Sequence, residues 1–162
     1  MGMDIHLFIV KDKEYLGKEI FDGRNSEWFH NMMQKGWNEV YDHLPVKYEV
    51  SEQAPNEIDE QKLAEDLYFG FRTVNVGDYR NWFIKYKPNK DAGWVSTYDK
   101  WRIENQGYII EDIPHYLSSD DNINDMHFIE VENHYDCSKW LFEYLEEHNI
   151  PNDADITYWF DH

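Results

Sequence analysis

Asp4 and His6 stand two residues apart in the opening stretch MGMDIHLFIV. Side chains two apart on a strand project from one face, so a carboxylate and an imidazole placed this way reach one point in space. His134 and Asp136 in NHYD, and Asp161 in the closing ITYWFD, are the other His and carboxylate residues with a spatial rationale. First and last strands of small domains often pair; pairing here sets Asp161 beside Asp4 and His6, with the NHYD loop packing across them. The set Asp4, His6, His134, Asp136 and Asp161 suits Zn²⁺, Mn²⁺, Fe²⁺ or Mg²⁺, and a metal-bound water would be activated for phosphoester-type hydrolysis. Its spacing matches no H-E-x-x-H-type motif. Each member also has a structural use: Asp136 as a helix cap, His6 bonded to Asp4, Asp161 on a solvated strand end.

The same region supports recognition instead of catalysis. His6, Arg24, Asn25, His134 and Ser138 supply donors for a phosphate or sugar, two of them beside expected helix starts whose free N–H groups attract anions. Trp28 and Trp140 add rings that stack on a base. Together they describe a site for a small polar, nucleotide-like ligand. The competing use of both tryptophans is core packing on amphipathic helices. Cys137 lies at an expected helix start without a Cys/His signature around it and is read as a small cap residue. YFGFR and NVGDY are not Gly-rich phosphate loops.

Composition narrows the partners. The chain has 15 Lys plus Arg against 33 Asp plus Glu, a formal net charge of −18, which repels phosphate backbones and anionic membranes. Direct nucleic-acid or membrane binding is therefore disfavoured. A basic host protein, or the role of a nucleic-acid mimic, is compatible with acidic stretches such as SSDDNIND and the faces carrying Glu57, Asp59, Glu60, Glu65, Asp66 and Glu143, Glu146, Glu147. A soluble acidic surface explains the same residues. One cysteine forms no internal disulfide, no signal-peptide pattern opens the chain, and no apolar run is long enough for a bilayer, so a cytoplasmic setting is expected.

The elements that must position these residues come from periodicity. A length of 162 residues with 41% hydrophobic content predicts a single α+β domain. Its expected architecture is a mainly antiparallel sheet with adjacent N- and C-terminal strands and about three helices packed on it. KDKEYLGKEIFDG reads as a turn region with a short second strand. NSEWFHNMMQKG reads as a helix capped by Asn25 or Ser26, striped by Trp28, Phe29, Met32 and Met33, and ended by Gly36. Val46, Tyr48 and Val50 alternate as a short extended piece. IDEQKLAEDLYFG reads as a second helix with Asp59 as cap, Leu63, Ala64, Leu67 and Tyr68 inside, and Gly70 as stop. Residues 79 to 98 read as an antiparallel hairpin turning at PNKDAG. MHFIEVE and ADITYWFDH alternate as strands. Trp140, Leu141, Tyr144 and Leu145 mark a helix capped by Asp136 or Ser138.

The start MGMDIH resembles a family of short, mostly phage and prophage proteins that begin Met-Gly-Cys-Asp-Ile-His. Arg24 and Asn25, HLPVKYEVS, HYDCSKWLFEYL and ITYWFD are similar to that family's Arg-Asn pair, Gly-Leu-Pro-type loop ending in serine, His/Ser-rich loop with its Trp-Leu helix, and closing Phe-Asp strand. The similarity covers about a third of the chain, at its ends. Met3 stands where the family has cysteine and His43 where it has glycine. The resemblance implies a phage-type origin without a reaction, and by association a role as an inhibitor of a host defence system.

Overall fold

A computed structural model describes residues 4–16, 21–23, 28, 31–32, 39–58, 69–109, 113–114, 116–133 and 136–161, with backbone alone at 21–23, 69 and 161. The described chain is α+β, and it divides into two compact units, one of Met1–Lys87 with Cys137–His162 and one of Pro88–Asp136.

The first unit is built on the two chain ends. β1 (Asp4–Lys11) runs antiparallel to β7 (Asp155–Asp161), in register from Asp4 opposite Asp161 to Val10 opposite Asp155. The expected adjacency of the terminal strands is therefore observed. β4 (Phe69–Asn75) pairs antiparallel with the other edge of β7. β2 (Glu14–Tyr15) and β3 (Phe21–Gly23) pair in succession with β1, completing a five-stranded antiparallel sheet. Asp12 and Lys13 turn the β1–β2 hairpin with φ of 52° and 67°, positive at both positions as a type I′ turn requires. The turn is held from outside: the Lys13 N–H donates to the Gln53 carbonyl at 3.0 Å.

Alternation makes the sheet two-sided. Ile5, Leu7 and Ile9 on β1 and Ile156, Tyr158 and Phe160 on β7 are buried on one face. Against them pack Tyr79 and Trp82 of α2 (Val76–Tyr86), Leu141 and Leu145 of α4 (Ser138–Glu147), and Tyr41 of the short α1 (Glu39–Asp42). Full burial of each such side chain contributes about 1.5–3 kcal/mol. The opposite face carries a smaller cluster in which Val10, Phe71 and Trp159 meet Ala54 and Ile58. Residues 46–50, expected as a short extended piece, meet β4 through an antiparallel bridge from Lys47 to Thr73.

The expected hairpin over 79 to 98 is corrected: residues 76–86 are the helix α2. Asn75 caps it by accepting the Asp78 N–H at 3.0 Å, and Lys87 ends it at φ 45° with its N–H on the Phe83 carbonyl. Tyr79, Trp82, Phe83 and Tyr86 sit at i, i+3, i+4 and i+7, the spacing of a helix face, while Ile84, which a strand would have to place, is exposed. Arg80 then ties α2 to α4, donating to the Glu146 carboxylate at 2.7 Å and to the Leu145 carbonyl at 3.0 Å. Two further expectations change. The N-cap of α4 is Cys137, not Asp136 or Ser138. Gly70, expected as a helix stop, lies inside β4 at φ 69°, beside a register shift between Phe69 and Arg72. Trp28, Asn31 and Met32 are helical, as are residues 56–58; the remaining expected stripe and cap residues of both helices, including Asp59, Leu63, Ala64, Leu67 and Tyr68, lie outside the described residues.

In the second unit, β5 (Lys90–Ser96) pairs antiparallel with β6 (Met126–Glu132), from Lys90 opposite Glu132 to Ser96 opposite Met126. The partner of β5 is thus a strand 30 residues on, reached through α3 (Thr97–Gln106) and the 3₁₀ turn Ile123–Asp125. Ser96 caps α3 through the Asp99 N–H at 3.1 Å, and Gly107 ends it at φ 63°. Val95 and Ile113 are the buried aliphatic side chains of this unit among the described residues.

Candidate functional site

The register of the first unit gathers the residues with which the chain opens. On β1, His6 lies opposite Trp159 of β7 and opposite Asp22 of β3, while Asp4 lies opposite Asp161. The His6 ring stacks on Trp159 with centroids 5.9 Å apart and planes 23° apart. Trp159 is itself stacked on Phe8 at 5.2 Å and on Phe71 at 5.4 Å, so the imidazole rests at the end of an aromatic platform. Asp4 and His6 are both half-buried. Backbone register therefore places three carboxylate residues and one histidine in two neighbouring rows at one end of the sheet. Such a patch concentrates cations, and oxygen ligands with one imidazole suit Mn²⁺, Mg²⁺ or Zn²⁺. Among the described residues, no group of three or more His, Cys, Asp or Glu is arranged to hold a metal; Asp4 and His6 are the two members whose side chains are described.

The other expected site residues separate. Arg24, Asn25 and His134 lie outside the described residues. Asp136 is buried and belongs to the 88–136 unit. Trp28 is fully buried in the main core, where a ligand has no face of it to stack on. Ser138 is also fully buried: its hydroxyl shares a hydrogen bond with the Tyr41 hydroxyl, and its carbonyl accepts from the Tyr79 hydroxyl at 2.8 Å. That hydroxyl fastens the start of α4 to α1 and is not presented to a ligand. Ser138→Ala should accordingly lower stability by about 1 kcal/mol in a denaturant titration, with no change in ligand binding. Trp140 is 40% exposed, with its ring beside that of Tyr144.

Two polar features were not singled out in the sequence. A cleft of about 240 Å³ is lined by Lys47, Ser51, Gln53, Thr73, Asn75 and Asp155, among others. Its polar groups largely hold one another: Ser51 Oγ donates to Asp155 Oδ2 at 2.6 Å, and Thr73 Oγ1 to the Glu49 carbonyl at 2.8 Å. These bonds seat the 47–53 segment against the sheet edge. On the opposite, helix-covered face, Arg72 and Tyr158 are register partners. Arg72 Nε and the Tyr158 hydroxyl are buried without a hydrogen-bond partner among the described residues. Burial pushes the Tyr158 phenol above its ordinary range, with the nearby Arg72 charge opposing and Tyr48 reinforcing the shift. No local motif marks either residue, since arginine and tyrosine at single strand positions are common.

No family model, no curated protein and no solved structure matches this chain. Among the described residues, no helix is long and apolar enough to cross a membrane.

Proposed function

We propose that this protein binds a divalent cation at the Asp4 end of its sheet and through it a small phosphorylated, nucleotide-like ligand. The observation that supports this reading is the register that sets Asp4 opposite Asp161 and His6 opposite Asp22. Carboxylates crowded on one sheet end repel one another and any phosphate; a cation between them reverses both effects. The need is acute in a chain of net charge −18. Arg24 follows directly after Gly23, the register partner of Ile5, and is the donor expected for the phosphate. The phage-type resemblance of the opening motif supports an infected cell's cytoplasm as the setting and inhibition of a host defence system as the role.

Calorimetric titration with Mn²⁺ and Zn²⁺, followed by a nucleotide panel, tests the reading. Asp4→Asn and His6→Ala should each weaken cation binding by about tenfold or more, the equivalent of a lost charge-assisted contact, while circular dichroism stays unchanged. Wild-type protein that takes up neither ion overturns it. Conversion of a nucleotide or cyclic dinucleotide that stops in chelator and returns with Mn²⁺ or Zn²⁺ would make the site hydrolytic, with the metal activating water.

A second reading, recognition of a basic host protein, is favoured by a different observation. Tyr98, Trp101, Ile123 and Phe128 are all exposed on the 88–136 unit, and exposed rings beside acidic residues suit a partner with apolar and cationic groups. Binding of this kind survives chelator and is lost in Trp101→Ala.

A further inference from the structure

Arg72 is unusual in a protein with more than twice as many acidic as basic side chains. Its Nη1 donates to the Phe71 carbonyl at 3.0 Å, and its guanidinium lies 4.4 Å from the centre of the Tyr48 ring. It has no carboxylate partner among the described residues, and its Nε–H is buried without an acceptor. The Tyr158 hydroxyl, on the register-paired residue of the next strand, is completely buried and equally without a partner. Buried donors are almost always satisfied, and these two belong to register-paired residues of neighbouring strands. Opposite residues of an antiparallel pair have Cα atoms about 4.5–5.5 Å apart and share a face, so one acceptor can serve both.

We infer that Arg72 Nε–H and Tyr158 O–H bracket a binding position for a small oxyanion, a carboxylate or phosphate group, beneath the ring of Tyr48. Both bracketing groups donate, and one belongs to a cation with no carboxylate partner among the described residues. The complement of two donors and a positive charge is an acceptor that carries negative charge. Burial keeps the phenol protonated, so it remains a donor throughout the neutral range. Tyr48 is 55% exposed although its ring covers the guanidinium, and it follows the single bridge at Lys47 by one residue. The ring is a cover on the solvent side, and the position beneath it opens when Tyr48 turns outward. The site lies on the helix-covered face, away from the His6 and Trp159 face, and does not depend on the cation reading.

Thermal unfolding tests the inference, with chelator present so that the cation site is silent. At constant ionic strength, chloride is replaced stepwise by inorganic phosphate or by acetate. The wild-type midpoint should rise with anion concentration in the saturable manner of a ligand that binds the native state. Tyr158→Phe, which is apolar and keeps the ring, should shift the fitted dissociation constant at least tenfold to weaker binding, and Arg72→Gln should abolish the response. Lys85→Gln makes the same change in net charge elsewhere and should keep the full response. A response to phosphate alone assigns the site to phosphate groups; one to both anions assigns it to carboxylates as well. No anion-dependent rise in the wild type, an equal rise in Tyr158→Phe, or an equal loss in Lys85→Gln overturns the proposal.

Discussion

Trp28→Ala should lower the free energy of unfolding by about 3–5 kcal/mol, the range for removing a large buried ring, a large share of the stability of a domain this size. Trp28 is 0% exposed and belongs to the same buried cluster as Ile5, Leu7, Tyr158 and Phe160. Truncation leaves a void that close-packed neighbours fill only in part. The measurement is a urea titration followed by the remaining tryptophans, with a midpoint that falls sharply and a slope that stays constant. A loss of ligand binding at unchanged stability would instead restore the stacking role that the residue type suggests. His6→Ala is the natural comparison: losing a half-buried side chain at the sheet end should cost much less stability, whereas the proposed cation binding should weaken.

Gly93→Ala has the second large expected effect. A β-carbon at Gly93 would lie 2.1 Å from Ile113 Cγ2 and 2.5 Å from the Pro114 carbonyl oxygen, far inside contact distance. The Pro114 carbonyl also accepts the Trp94 N–H at 2.8 Å, so displacing residues 113–114 breaks the bond that covers the free edge of β5. Overpacking of this kind costs about 1–3 kcal/mol, and here it falls on a unit whose buried aliphatic side chains among the described residues are Val95 and Ile113. Hydrogen exchange should therefore show the 88–136 unit opening many-fold more often while β1 and β7 stay protected. Gly107→Ala is the contrast, because Gly107 has open space around it and only its φ of 63° resists a side chain, at a cost of about 1 kcal/mol.

The sequence by itself determined whatever repeats over a few residues. Alternation in IHLFIV and ITYWFD marked the terminal strands and the buried face of each, and β6 and α4 followed from period-two and period-3.6 patterns. Alternation at both chain ends implied strands that could pair, and with them the neighbourhood of Asp4, His6 and Asp161; a one-residue slip would turn the apolar set to the other face, but the register itself was set where the strands meet. Tertiary structure decided whatever depends on a distant partner. Aromatic residues at 79, 82, 83 and 86 fit two periods in a short window, and the choice of helix was made by the Asn75 cap and by the core that Tyr79 and Trp82 fill. The pairing of β5 with β6, across residues 97–125, has no local signature. Trp28 and Ser138 have side chains equally apt for a ligand or a core, and burial alone separates the two roles. Arg72 and Tyr158 lie 86 positions apart in the chain; only the β4–β7 register makes them neighbours, each with a buried polar atom that no described residue satisfies. Periodicity is a property of a segment, whereas register, burial and unsatisfied hydrogen bonds arise when segments meet.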